Sequence, residues 1–310
     1  MRKSSHRFHF SRTECEPYLF LAPWMIGFVL FLAFPIAFSL VLSVCRWDMI
    51  SPAPDFAGIA NYRRMVFHDP RFWHSLKVTT IYALGSVPLT LCFSLGVAVL
   101  LNARLRSIGI FRTIFYLPSV VSGVAVAVLW MGLLNPEFGL VNLGLGRVFG
   151  WLGVPEASLP KWLFSQRWAL PSLILMSLWS IGPTVIIFLA GLQSVPTELI
   201  EAAEIDGAGP WQRFRSVTLP LLTPMVLFNL VIGIIGAFQV FTQGYVMTGG
   251  GPRDATLFFV LYIWQKAFLD FQAGYASALA WVLFAIILAL TLVVLRSSRR
   301  WVHYGAEAGA

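Results

Sequence analysis

Charge is what the long apolar runs of this chain lack. No Asp, Glu, Lys, Arg or His falls within 17–45, 78–103, 113–136, 168–197, 216–252 or 271–295. A carrier driven by an ion gradient keeps ionisable groups in its spans to bind that ion, despite their cost in lipid. Their absence argues against ion coupling. Lysine is scarce too, at 3, 77, 161 and 266, and none ends a Gly-x-x-x-x-Gly-Lys-Ser/Thr loop that could cradle phosphates. The chain therefore does not hydrolyse ATP by itself, and it reads as no enzyme. Cys15, Cys45 and Cys92 show neither paired nor metal-type spacing, which excludes a disulfide framework and a zinc site. No cofactor or metal is expected. A basic stripe is also missing, so the net charge of +8 belongs to membrane-flanking residues and not to nucleic-acid binding.

Apolar residues are what the chain has in excess: 58% of it is hydrophobic, with 26 Phe and 12 Trp, far above a soluble domain of this length. Each run exceeds the ~20 residues that cross a hydrocarbon core as a helix, and helices satisfy every backbone amide in lipid. The expected fold is an all-α integral membrane protein with six transmembrane helices at about 18–45, 78–102, 113–135, 168–193, 221–247 and 271–295. Residues 17–296 form one domain, with tails 1–16 and 297–310. The first run is longer than a signal-peptide core and lacks a small-residue cleavage site, so it is expected to stay as an anchor. Twelve of the 22 Lys+Arg fall on the side of the termini, in short segments near helix ends. That bias favours cytoplasmic N and C termini.

Three segments lie on the other side. Residues 46–77 are rich in aromatics and turn formers. A short interfacial helix is expected at about 143–152, and Gly249-Gly250-Gly251-Pro252 turns into an aromatic stretch, 258–268, at helical spacing. Asp69, Arg71 and Trp73 fit either contact with an outside protein or a capped loop.

The charged loop 196–220 stands out between two apolar runs. Pro196 suits a first helical turn, and Glu198, Glu201 and Glu204 lie towards the positive end of the helix that follows. Leu199, Ala202, Ala203 and Asp206 share a face, and Gly207 stops the helix. A second helix starts at Pro210, with Trp211, Phe214 and Val217 as its apolar face, and Leu219-Pro220 turns the chain back into the membrane. The resulting helix-turn-helix is a knob suited to a groove on a partner. The alternative, an amphipathic hairpin lying on lipid, is opposed by the acidic charge of the first helix and the little that Ala-Ala offers to insert.

The residues Glu201-Ala202-Ala203, Gly207, Val217 and Leu219-Pro220 resemble the signature of the membrane subunits of ATP-binding-cassette importers, with Val217 where Ile is commoner. Residues 56–73, 111–118, 135–142 and 250–278 resemble the sugar-permease branch, first-subunit type. The extra N-terminal helices and large outer domain of the bigger maltose subunit are not expected in this chain. The resemblance implies a non-enzymatic permease subunit of a binding-protein-dependent importer for carbohydrate, with oligosaccharide expected. Its implied partners are a second homologous permease subunit, two cytoplasmic ATP-binding-cassette ATPases, an extracytoplasmic sugar-binding protein and membrane lipid. It also implies that Glu201, Ala202, Ala203, Asp206, Gly207, Trp211, Phe214, Val217, Leu219 and Pro220 couple to the ATPase.

Asn229, Gly236 and Gln243 repeat at sevens along the fifth span, with Gly233 and Gln239 beside them. Asn229, Gln239 and Gln243 either face the path, where amides suit a neutral hydroxyl-rich solute, or knit neighbouring helices together. Tyr245 points away from that face unless the helix breaks near Gly244. Ser119, Ser122 and Gly123 of the third span and Ser177, Trp179, Ser180 and Gly182 of the fourth could line a cavity, but serine and glycine in spans fit helix packing better. Competing functions are an importer of another polar solute such as glycerol phosphate, which would favour a basic residue near the path, and a channel or scaffold whose loop binds an unrelated protein.

Overall fold

The computed structural model describes residues 12–103, 108–151 and 159–303. Most of both expected tails, 1–11 and 304–310, and Leu152 at the end of the expected interfacial helix lie outside the described residues. Helix begins at Arg12, inside the segment expected to be a tail.

Three helices are long and apolar enough to cross a membrane, and three bent helix pairs, the third being Pro210–Leu221 with Thr223–Phe238 at 63°, bring the count up to the six spans expected. The continuous ones are span 1 (Phe20–Ser43), span 2 (Pro70–Leu101) and span 6 (Ala273–Ser298). Span 2 starts well before the expected 78 because the Asp69 side chain accepts from the backbone N–H of Arg71 and Phe72, with Pro70 at the first helical position. Its added turns carry Arg71, His74 and Lys77 beyond the apolar stretch.

Spans 3 and 4 depart from the single rods expected of them. In span 3, Ile108–Val120 meets Gly123–Leu133 at 100°, and in span 4, Ala169–Ser180 meets Gly182–Gln193 at 50°. Prolines sit at both breaks, Pro118 and Pro183, each lacking an N–H and disfavouring helix in the residue before it. Span 5 (Thr223–Phe238) ends at Gln239 and resumes as a π turn, Gly244–Thr248. The interruption lies at 239–241, ahead of Gly244, which sits inside the resumed helix, and Tyr245 stacks on Phe241 at 5.3 Å and meets Trp264 edge-on at 4.8 Å.

The segments between spans close the two ends. At the end opposite the loop 196–220, Cys45–Arg46 pairs antiparallel with Asp55–Phe56, Leu140–Trp151 forms the short helix, and Phe259–Trp264 continues into a π turn, Gln265–Leu269. The larger core lies there, around Phe72, Leu257, Phe258, Phe259, Tyr262 and Leu279. A smaller core joins Ala98, Ile181, Phe188 and Leu222 beside the charged loop. Lipid tails are as apolar as these side chains, so close packing and buried hydrogen bonds, more than hydrophobic transfer, hold such cores.

Candidate functional site

Three places carry chemistry: the charged loop, a cavity among the broken spans, and a polar clamp at the opposite end.

The loop folds as the helix Thr197–Ile205, a turn, and a second helix from Pro210 to Arg213 continued by a π turn, Phe214–Thr218. Gly207 adopts φ +80, with its N–H on Glu204 O at 3.0 Å and the Ala208 N–H on Ala203 O at 2.9 Å. These two bonds close the helix end, and the left-handed residue between them favours glycine. Arg213 bridges Glu204 at 2.8 Å, tying the two helices together. Trp211 and Phe214 stack at 5.7 Å, and Trp211 is 72% exposed. Glu201, Ala202 and Asp206 are exposed beside Leu199, while Ala203 is half-buried under the turn.

Val217, Leu219 and Pro220 do not join that exposed face. The π turn changes the spacing, and these residues are half-buried on the way back to the membrane. Ile205 is the most exposed apolar side chain of the loop at 86%. Leu222 is fully buried against Gly191 of span 4, so the knob is seated on the spans through a close contact.

A cavity of about 470 Å³ opens among spans 2 to 5, at the breaks. Ser86 and Thr90 of span 2, Ser119 and Gly123 of span 3, and Ser177 and Ser180 of span 4 line it, together with Asn229 and Gln243 of span 5. No carboxylate and no basic side chain is among the lining residues. Irregular backbone at membrane depth is tolerated where it is buried or lines a water-filled space, and these breaks meet that condition. The structure brings Asn229 and Gln243 to the cavity and leaves Gln239 out of it, exposed at the end of the span 5 helix. Ser119, Ser177 and Ser180, which fitted packing better, line the cavity with Gly123, whereas Ser122 and Gly182 do not. Proline at the breaks was the available signal.

At the other end Asp69 caps span 2 and accepts hydrogen bonds from the hydroxyls of Tyr262 and Tyr275. Arg71 bridges Asp254 at 3.0 Å, and Arg64 lies 4.5 Å over the Tyr275 ring. Trp73 donates to Val66 O at 3.0 Å. Asp69, Arg71 and Trp73 thus cap and join segments of this chain. Burial pushes the Asp69 carboxyl up, but the two tyrosine hydroxyls and the Phe72 N–H outweigh it and hold it below the ordinary 3.8.

Residues 90–303 match the family described as binding-protein-dependent transport system inner membrane component. The chain belongs to that family. The permease is 43% identical to the probable ABC transporter permease protein YesP of Bacillus subtilis, over 94% of this chain and 92% of the relative. It is 34% identical to the trehalose/maltose transport system permease protein MalF of Thermococcus litoralis, over 91% and 93%. Its fold matches a chain of the bacterial alginate ABC transporter, solved with an alginate pentasaccharide-bound periplasmic protein, at a TM-score of 0.77 and 23% identity, over 93% of this permease and 96% of that chain. The multi-pass membrane architecture agrees with both.

Proposed function

We propose that this permease is one of two homologous membrane subunits of an ATP-driven carbohydrate importer, with oligosaccharide as its cargo. The observation that carries the reading is the pairing of a seated, exposed knob at one end with an uncharged, hydroxyl- and amide-lined cavity between broken spans. The knob, through Glu201, Ala202, Ala203, Asp206, Gly207, Trp211 and Phe214, seats in a groove of a cytoplasmic ATP-binding-cassette ATPase, and Val217, Leu219 and Pro220 connect it to span 5. The N and C termini lie in the cytoplasm with it. Closure of two ATPase subunits moves the knob as a rigid body, and the contact of Leu222 with Gly191 passes the movement to spans 4 and 5. A soluble sugar-binding protein delivers cargo at the opposite end, and Asn229 and Gln243 face it in the path. The likeness to a trehalose/maltose permease supports carbohydrate over other polar solutes.

Gly207→Asp tests the coupling role. A side chain at φ +80 costs roughly 1–2 kcal/mol of backbone strain, although open space surrounds the glycine. Co-purification with the ATPase or the coupling of ATP hydrolysis to uptake is expected to fall, while sugar affinity of the binding protein stays unchanged. Wild-type uptake by this variant sinks the assignment.

A further inference from the structure

Arg112 is a cation to which the chain gives no counter-charge. It lies in the helix that opens span 3, Ile108–Tyr116, at the end of the molecule that carries the loop 196–220. Its Nη2 donates at 3.2 Å to the carbonyl of Leu101, the last residue of span 2, and its Nε is buried without a partner among the described residues. The C-terminal end of a helix supplies about half a negative elementary charge, which leaves the guanidinium under-compensated. No carboxylate makes up the rest. The sequence holds no Asp or Glu between Asp69 and Glu137 or between Glu156 and Glu198, so spans 2, 3 and 4 bring none, and no ion pair among the described residues includes Arg112. A cation withdrawn from water is destabilising until an anion meets it.

The same side chain lines a pocket of about 240 Å³ between the end of span 2, the first half of span 3 and the second half of span 4. Val185 and Leu189 are buried on its wall, whereas Tyr116 and Ile186 are exposed at its mouth. Gly182 closes the side towards the breaks: a Cβ there would stand 2.9 Å from Phe115 O, so the backbones of spans 3 and 4 touch. Apart from Arg112 and the Tyr116 hydroxyl, every side chain on the wall is apolar. A sugar or a free phosphate would leave most of its polar groups unmet there, and the volume is under the roughly 300–1,000 Å³ of most small-molecule sites. An anionic head on a thin apolar tail matches both the cation and the wall.

We propose that the pocket holds one anionic phospholipid of the bilayer: its phosphate meets the Arg112 guanidinium, and one acyl chain runs along Phe115, Val185, Ile186 and Leu189. The height fits, because the last carbonyl of a span marks the boundary where head groups begin. The lipid then rests against the helix halves that flank the breaks in spans 3 and 4, and span 4 leads straight into the knob. The site is independent of what the cargo is.

Native mass spectrometry of the assembled transporter, released from bilayer discs of equal parts phosphatidylglycerol and phosphatidylcholine, counts the lipid that each variant retains by head group. The wild-type complex is expected to retain phosphatidylglycerol over phosphatidylcholine by roughly fivefold, the effect of one basic side chain at a charged bilayer surface. Arg112→Gln is expected to lose that preference. Ile186→Trp, which fills the pocket and leaves Arg112 in place, is expected to lose it as well, and it carries the test should Arg112→Gln fail to assemble. Arg300→Gln, at an exposed cation of the same end, is expected to change nothing. No preference in the wild type, a preference that survives Arg112→Gln or Ile186→Trp, or an equal loss in Arg300→Gln overturns the proposal, as does displacement of the lipid by inorganic phosphate. An Arg112→Gln complex that fails to assemble while Ile186→Trp keeps its preference would assign Arg112 to a carboxylate of a partner subunit instead.

Discussion

At the scale of single residues, Asp69 does more than its position in a loop suggests. It caps span 2 through backbone amides and holds two tyrosines from distant parts of the chain, Tyr262 and Tyr275. The cap was legible, since Asp-Pro before an apolar run is a helix start; the tyrosines, some 200 residues away, leave no local signal. Because folding lowers the pKa of Asp69, its contribution is fully present above the ordinary 3.8 and fades as pH falls through the lower folded value. Unfolding of the detergent-solubilised transporter, followed by tryptophan fluorescence, is expected to show an acid limb below roughly pH 4. Asp69→Asn should remove this group's part of that limb and destabilise the neutral protein by about 1–3 kcal/mol, since a neutral amide replaces a charged acceptor. An acid limb unchanged in the variant contradicts the clamp.

Among elements, the apolar runs gave six spans, but run length says nothing of continuity. Pro118 and the Gly182-Pro183 pair are compatible with a kinked rod as well as with a full break, and tertiary packing decides between them. The helix-turn-helix of the loop was the most legible element, because Pro196, Gly207 and Pro210 mark its ends. What spacing could not give was the Glu204–Arg213 bridge or the π turn that removes Val217 from the exposed face. Glu204 is 63% exposed, so the bridge contributes about 0–1 kcal/mol to stability. Its proposed role is to fix the angle between the two helices. Glu204→Arg alone should leave the permease folded and lower uptake per ATP hydrolysed, and adding Arg213→Glu should restore the ratio. Failure of the swapped pair to recover, at low and at high salt, assigns the loss to something other than the bridge.

For the whole molecule, a knob at one end, a clamp at the other and a cavity between them form one connected body. The clamp joins the end of span 2 far from the loop 196–220 to span 6 and the segment between spans 5 and 6, while Leu222 joins the knob to span 4. The breaks in spans 3, 4 and 5 sit between those two anchored ends, where stiff helices would otherwise forbid relative movement. Import requires the cavity to open to one side and then to the other, and these breaks are the proposed place for span 3 to move against span 5. A Cβ on Gly123 would stand 3.9 Å from the Thr242 methyl, so the two positions are direct neighbours for a cross-link. In a chain whose own three cysteines are replaced by serine, Gly123→Cys with Thr242→Cys is expected to assemble with its ATPase. On oxidation it should lose uptake roughly tenfold or more, and reductant should restore it. Uptake that continues with the disulfide demonstrably closed would mean that the two breaks travel together, and the moving joint must then be sought against the second subunit.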